Sequence, residues 1–138
     1  MEERLFASQL AGGALSTSDA SIVVAEWTDR GGGHEPPVYI APLHIHREDD
    51  EAWYVLDGTL CVRVGGQDYE LAPGAAVLAP RGTPHTYWNP RPEPTRYLLV
   101  MTPRINRLIE AIHAMTERSA EAMADVFERH RSTYLGWP

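Results

Sequence analysis

The stretch HIHREDDEAWYVLDG, residues 44–58, decides the fold. His44 and His46 are two apart, so on a strand both rings point to one side, roughly 6.6 Å apart along the backbone at a rise of ~3.3 Å per residue. Glu51 lies an odd number of residues further on, and a continuous strand would turn it to the other face. The polar run Arg47–Asp50 therefore reads as a turn, after which Glu51 re-enters on the inner face of a second strand. Trp53 and Val55 follow it inward, while Ala52, Tyr54 and Leu56 pack outward.

A second segment, GAAVLAPRGTPHTYWN at residues 74–89, carries one more histidine. Pro80, Gly82 and Pro84 fix the approach to His85, which opens a strand, and Tyr87 follows on the same side. Three imidazoles and one carboxylate make a mixed nitrogen and oxygen set suited to a borderline divalent ion such as iron, manganese, nickel, copper or zinc. Four such donors leave room on a six-coordinate ion for a substrate and a second small molecule.

Outward from these segments, strand signals recur at short intervals. They cover Ile22–Trp27, Glu51–Leu56, Thr59–Val64, Gln67–Leu71, Ala75–Ala79, Thr83–Trp88 and Arg96–Thr102. Turn chemistry separates them, at Asp57-Gly58, Gly65-Gly66, Pro73-Gly74, Arg81-Gly82 and the Pro90–Pro94 stretch. Short strands with glycine and proline punctuation and no interleaved helices predict an all-β sandwich or barrel. After Pro103 the period changes. Ile105, Leu108, Ile109, Ile112 and Met115 form one helical stripe, and Ser119 can cap a second helix with Met123, Val126 and Phe127 on its apolar face. The expected organisation is an N-terminal arm at 1–20, a barrel at 21–103 and a helical tail at 104–138.

The two histidine segments closely resemble the paired motifs of the cupin superfamily, whose fold is a jelly roll, also described as a double-stranded β-helix barrel. The resemblance is tight over about residues 38–89. It implies that His44, His46, Glu51 and His85 are metal ligands, and that Gly58, Gly74, Pro80, Gly82 and Asn89 frame the turns. One departure is Val38, which stands where the family usually has glycine; the glycines here are at 31–33. More loosely, Glu51–Leu60, the Met-Thr-Pro ending of the last strand and Leu135-Gly136 resemble small quercetinase-like bacterial cupins. That likeness implies a metal-dependent dioxygenase acting on a small phenolic or enolisable compound.

Alternatives stay open at this point. The same ion can act purely as a Lewis acid in isomerisation or decarboxylation, or the barrel can be a non-catalytic binder of a small ligand. A barrel that keeps its histidines without metal is a further reading. Glu51 is expected to be a ligand at rest and a catalytic base during turnover. Tyr39, Trp53 and Tyr87 are candidate pocket residues, with plain core packing the competing role. Asp49 and Asp50 read as solvated turn residues, Arg63 and Arg81 as surface cations, and Cys61 as packing.

The 138 residues suffice for one domain with a hydrophobic core. A net charge of -7 argues against general nucleic-acid binding. One cysteine, no readable signal peptide and no long apolar run make a cytoplasmic protein, with no membrane partner, the expectation. The amphipathic tail and the exposed strand faces suggest a homodimer that takes a small-molecule substrate.

Overall fold

The computed structural model describes residues 3–138. Ten strands and two helices follow one another as β1 (Ala14–Leu15), β2 (Val23–Asp29), β3 (His44–His46), β4 (Glu51–Asp57), β5 (Leu60–Val64), β6 (Gln67–Leu71), β7 (Ala76–Ala79), β8 (His85–Trp88), β9 (Thr95–Met101), α1 (Pro103–Ala114), α2 (Ala120–Arg129) and β10 (Ser132–Tyr134). One sheet runs β1-β2-β9-β4-β7 and the other β10-β3-β8-β5-β6, and the paired strands are antiparallel. The punctuation predicts an all-β sandwich or barrel, and the two packed antiparallel sheets are the jelly roll that the resemblance implies.

Alternation places the core. Trp53 and Val55 on β4 are fully buried, as are Leu60 and Val62 on β5, and Tyr97, Leu99 and Met101 on β9 also face inward. On the opposite parity of β4, Tyr54 is exposed and Ala52 and Leu56 are half-buried. Gly58 closes the β4–β5 hairpin with φ of 79°, and a Cβ there would collide with the Pro94 carbonyl and the Thr95 backbone. Only glycine meets both demands.

The C-terminal segment completes the barrel instead of trailing from it. Thr102 caps α1, its side chain accepting from the Ile105 amide, and Pro103 takes the first helical position, where a missing N–H costs nothing. Ser119 caps α2 in the same way through the Ala122 amide. Ile105 joins the barrel core, while Leu108 packs with Met123, Val126 and Phe127 in a second cluster. After α2 the chain turns through Arg131, at φ of 56°, and β10 pairs with β3.

Two short strands lie outside the expected barrel limits, β1 within the stretch read as an arm and β10 within the tail. Val38–Ile40 forms no strand; Tyr39 makes one isolated bridge to Trp88. Asp49 is not solvated as expected. It is 7% exposed, because Arg104 at the start of α1 reaches its carboxylate at 3.3 Å. Asp50 instead holds the Arg81 guanidinium at 2.9 Å, and Arg63 pairs with Asp68 at 2.7 Å.

Candidate metal centre

His44 and His46 project inward from β3, Glu51 from the start of β4 and His85 from the start of β8. Two features bring them together. His44 stands opposite His85 in the β3–β8 ladder, and Gly82, at φ of 81°, donates its amide to the His46 carbonyl at 2.8 Å, returning the chain to β8. The four side chains are 1–5% exposed, and one donor atom from each lies within 4.8 Å of the others.

The hydrogen bonds around this cluster decide which ring atoms face its centre. His44 Nδ1 lies 2.6 Å from the Pro42 carbonyl and His85 Nδ1 lies 2.9 Å from the Thr83 carbonyl. A carbonyl has no proton to give, so both Nδ1 atoms are donors. In the neutral rings the Nε2 lone pairs then point inward. His44 Nε2 sits 3.2 Å from His46 Nε2, and Glu51 Oε1 lies 3.0 Å from His85 Nε2 and 3.4 Å from His46 Nε2. Converging lone pairs repel unless a cation sits among them. A proton shared with Glu51 would relieve part of this, and one divalent ion would relieve all of it. The donor set and its burial fit a single first-row divalent ion.

Electrostatics agree with that reading. Burial, reinforced by the crowding of His85 and His46 against it, pushes His44 well below the ordinary imidazole range and keeps it in the ligand form. For Glu51, burial alone would raise the carboxyl. The His46 and His85 rings outweigh burial and hold it well below the usual carboxylate range. Glu51 is therefore ionised and ready to ligate.

The centre opens on a cavity of about 200 Å³. His44, His46 and Glu51 form one end, and Trp27, Tyr87, Tyr97 and Leu99 line the barrel side. Helix α1 supplies Ile105, Leu108, Ile109 and Ile112, and α2 adds Met123 and Phe127. Phe127 also lies edge-on to His44, ring centroids 5.4 Å apart. Of the expected pocket residues, Tyr87 borders the cavity. Trp53 is fully buried behind it, its ring 5.3 Å from that of Tyr87 and 5.7 Å from that of His85. Tyr39 stacks edge-on against Trp88 at 5.2 Å, away from the cavity.

Several lining residues escaped the sequence reading. The inward parity of Tyr97 in Arg96–Thr102 was available as a signal, and so was the apolar stripe of α1. Trp27, on the inward parity of Val23 and Ala25, and the tail residue Trp137 also border the cavity. His113 is exposed and lies edge-on to Trp27, ring centroids 5.7 Å apart, at the cavity wall. Cys61 is buried on β5, its thiol pushed up to about 11 by burial, in keeping with packing.

Comparison with known proteins accords with this geometry. Residues 33–101 match the Cupin_2 family, the cupin domain, and the chain belongs to that family. A stretch of 46 residues is 44% identical to quercetin 2,3-dioxygenase of Bacillus subtilis (strain 168). That match covers 33% of this chain and 14% of the dioxygenase, so only a small part of the larger enzyme is represented. Among solved structures, the TT1209 protein of Thermus thermophilus is similar at TM-score 0.55 and 30% identity, over 65% of this chain and 79% of that one. A sugar phosphate isomerase of Silicibacter pomeroyi DSS-3 shares the fold at TM-score 0.52 and 23% identity, over 64% of this chain and 57% of the other. Among the described residues no helix is long and apolar enough to cross a membrane.

Proposed function

We propose that this cupin is a metal-dependent dioxygenase acting on a small phenolic or enolisable compound. The observation that carries the reading is a buried three-histidine, one-glutamate centre opening directly on an apolar, aromatic-walled cavity. The 44% identity to a stretch of a quercetin dioxygenase supports the reaction class. A bound divalent ion would supply Lewis acidity and, for a redox-active metal, a place for dioxygen beside the substrate.

The chain's own residues have distinct tasks. His44, His46 and His85 would hold the ion through their ring nitrogens. Glu51, kept ionised, is the one carboxylate among the residues lining the cavity and would accept a hydroxyl proton from the substrate. Ile105, Leu108, Ile109 and Phe127 exclude water from the reacting end. Tyr87 and Tyr97 stay protonated, since burial raises both phenols, and they hydrogen-bond to each other, which leaves one phenol proton of the pair for a substrate oxygen.

Cavity size narrows the substrate. Pockets for drug-sized ligands run about 300–1,000 Å³, and 200 Å³ suits one ring better than the three of a flavonol. The apolar wall disfavours sugars and phosphate esters, which leaves isomerisation of a sugar phosphate a weaker use of the same donors.

Oxygen consumption with single-ring catechols and enolisable diketones, using iron-, manganese-, nickel- and copper-loaded protein, tests the proposal. Incorporation of both atoms of labelled dioxygen into product is the expected result. Oxygen-independent turnover would move the assignment to a Lewis-acid isomerase or decarboxylase. Tight ligand binding without turnover, unaffected by chelation, would leave a binding module.

A further inference from the structure

Two of the three histidines at the centre are oriented locally, each by the backbone carbonyl two residues upstream. His46 is the exception. Its Nδ1 lies 2.8 Å from the hydroxyl of Ser132, a residue 86 positions away on the last strand. Resting on the metal reading above, we infer that Ser132 is a positioning residue for the metal centre, holding His46 as the Nδ1–H tautomer with Nε2 free to ligate.

The argument is one of proton placement. A serine hydroxyl has one proton, and here it has two possible acceptors. It can go to the His130 carbonyl, 3.2 Å away, or to His46 Nδ1. In the first case Oγ accepts from Nδ1–H, and the His46 Nε2 lone pair joins those of His44 and His85. In the second, a neutral His46 must carry its proton on Nε2. That atom is 3.2 Å from His44 Nε2 and 3.4 Å from Glu51, so the proton would occupy the place of the ion. The His130 carbonyl favours the first arrangement, which is the one that admits metal.

Ser132 is itself firmly placed. It stands directly opposite His46 in the β3–β10 ladder and is 1% exposed. The Arg47 guanidinium donates to its carbonyl at 2.8 Å, and the Arg47 amide donates to the Arg131 carbonyl at 3.0 Å. Partners of ligating histidines commonly change metal affinity about 10–100-fold when removed. The C-terminal strand is thus part of the metal site as well as of its cover.

Zinc and cobalt dissociation constants, measured by chelator competition on the full chain, test the assignment. The variants are Ser132→Ala, Ser132→Val and Ser132→Thr; threonine and valine match in shape and differ in the hydroxyl. Affinity is expected to fall about 10–100-fold in the alanine and valine proteins, with threonine recovering most of it. Ring-nitrogen NMR of the metal-free protein should show the Nδ1–H tautomer of His46 depleted in the alanine variant. Alanine and valine proteins that bind as tightly as wild type would overturn the inference, as would a threonine protein as weak as valine. A wild-type chain that takes up neither ion would instead overturn the metal reading, and this inference with it.

Discussion

Nε2 of His85 and Oε1 of Glu51 meet at 3.0 Å although the residues sit on different sheets, at the starts of β8 and β4. The barrel wall forces together two groups that in the ligand form both present lone pairs. Removing either leaves the other buried without its counterpart. His85→Ala and Glu51→Ala should therefore lose metal by more than the ~10–100-fold typical of an outer partner, read as metal content by elemental analysis after gel filtration. Near-wild-type metal in both variants would defeat the ligand assignment. Chelating the wild-type protein should also lower its melting temperature. An ion present at about 100 times its Kd stabilises by ~2.7 kcal/mol.

Burial, with His85 and His46 crowded against the ring, depresses the folded-state pKa of His44. The unfolded chain takes up a proton near about pH 6.5, and the folded metal-free chain does not. Stability linked to this group is therefore fully present above that pH and is lost as pH falls towards the depressed value. The slope is up to about 1.4 kcal/mol per pH unit for one such group. The melting temperature of the metal-free protein should drop between about pH 7 and about pH 5.5, and His44→Gln should flatten that part of the profile. Identical profiles for the two proteins would contradict a neutral buried His44.

The four-residue cluster was legible because each member depends on local spacing. His44-x-His46 shares one strand face, and the polar Arg47–Asp50 turn restores the parity of Glu51. His85 was placed by the prolines and glycine before it. Contacts made across the fold were not legible. Ser132-Thr133-Tyr134 is too short to show a strand period, and only its pairing with β3 gives Ser132 its role. Asp49 looks like any turn acid until Arg104 arrives from α1. Trp88 has the parity opposite to Tyr87 and is nevertheless buried, because the loop bearing Tyr39 covers that face and Arg63 lies over its ring at 5.2 Å.

Gly58 combines a left-handed backbone with a close approach to the Pro94–Thr95 backbone. Gly58→Ala faces a conformational penalty of about 1–2 kcal/mol before any clash is counted. The β4–β5 hairpin must also move off Thr95, whose hydroxyl donates to the Asp57 carbonyl at 3.1 Å. A destabilisation above about 1 kcal/mol is expected in urea unfolding. Metal affinity should be nearly unchanged, because the hairpin lies at the far end of β4 from Glu51. Wild-type stability in this variant would mean that the loop yields more readily than its contacts suggest.

Phe127 tests the link between the helical cover and the centre. It is 1% exposed, packs with Leu108, Met123 and Val126, and borders both His44 and the cavity. In urea unfolding Phe127→Ala should cost about 3–5 kcal/mol, and it should admit water beside His44. Phe127→Leu should keep most of the stability while losing the ring edge against His44.

Ile109 offers a cleaner separation of cavity from metal. It borders the cavity from α1 without contributing a donor, and it is only half-buried. Ile109→Trp would place an indole in a space of about 200 Å³, at an overpacking cost of roughly 1–3 kcal/mol. The variant should hold metal as wild type does and bind single-ring catechols at least tenfold more weakly, as read by calorimetry on metal-loaded protein. Loss of metal together with catechol binding would show that α1 supports the centre and does not simply wall the cavity. Unchanged binding of both would place the substrate elsewhere, because a site that tolerates an added indole cannot be the space that Ile109 lines.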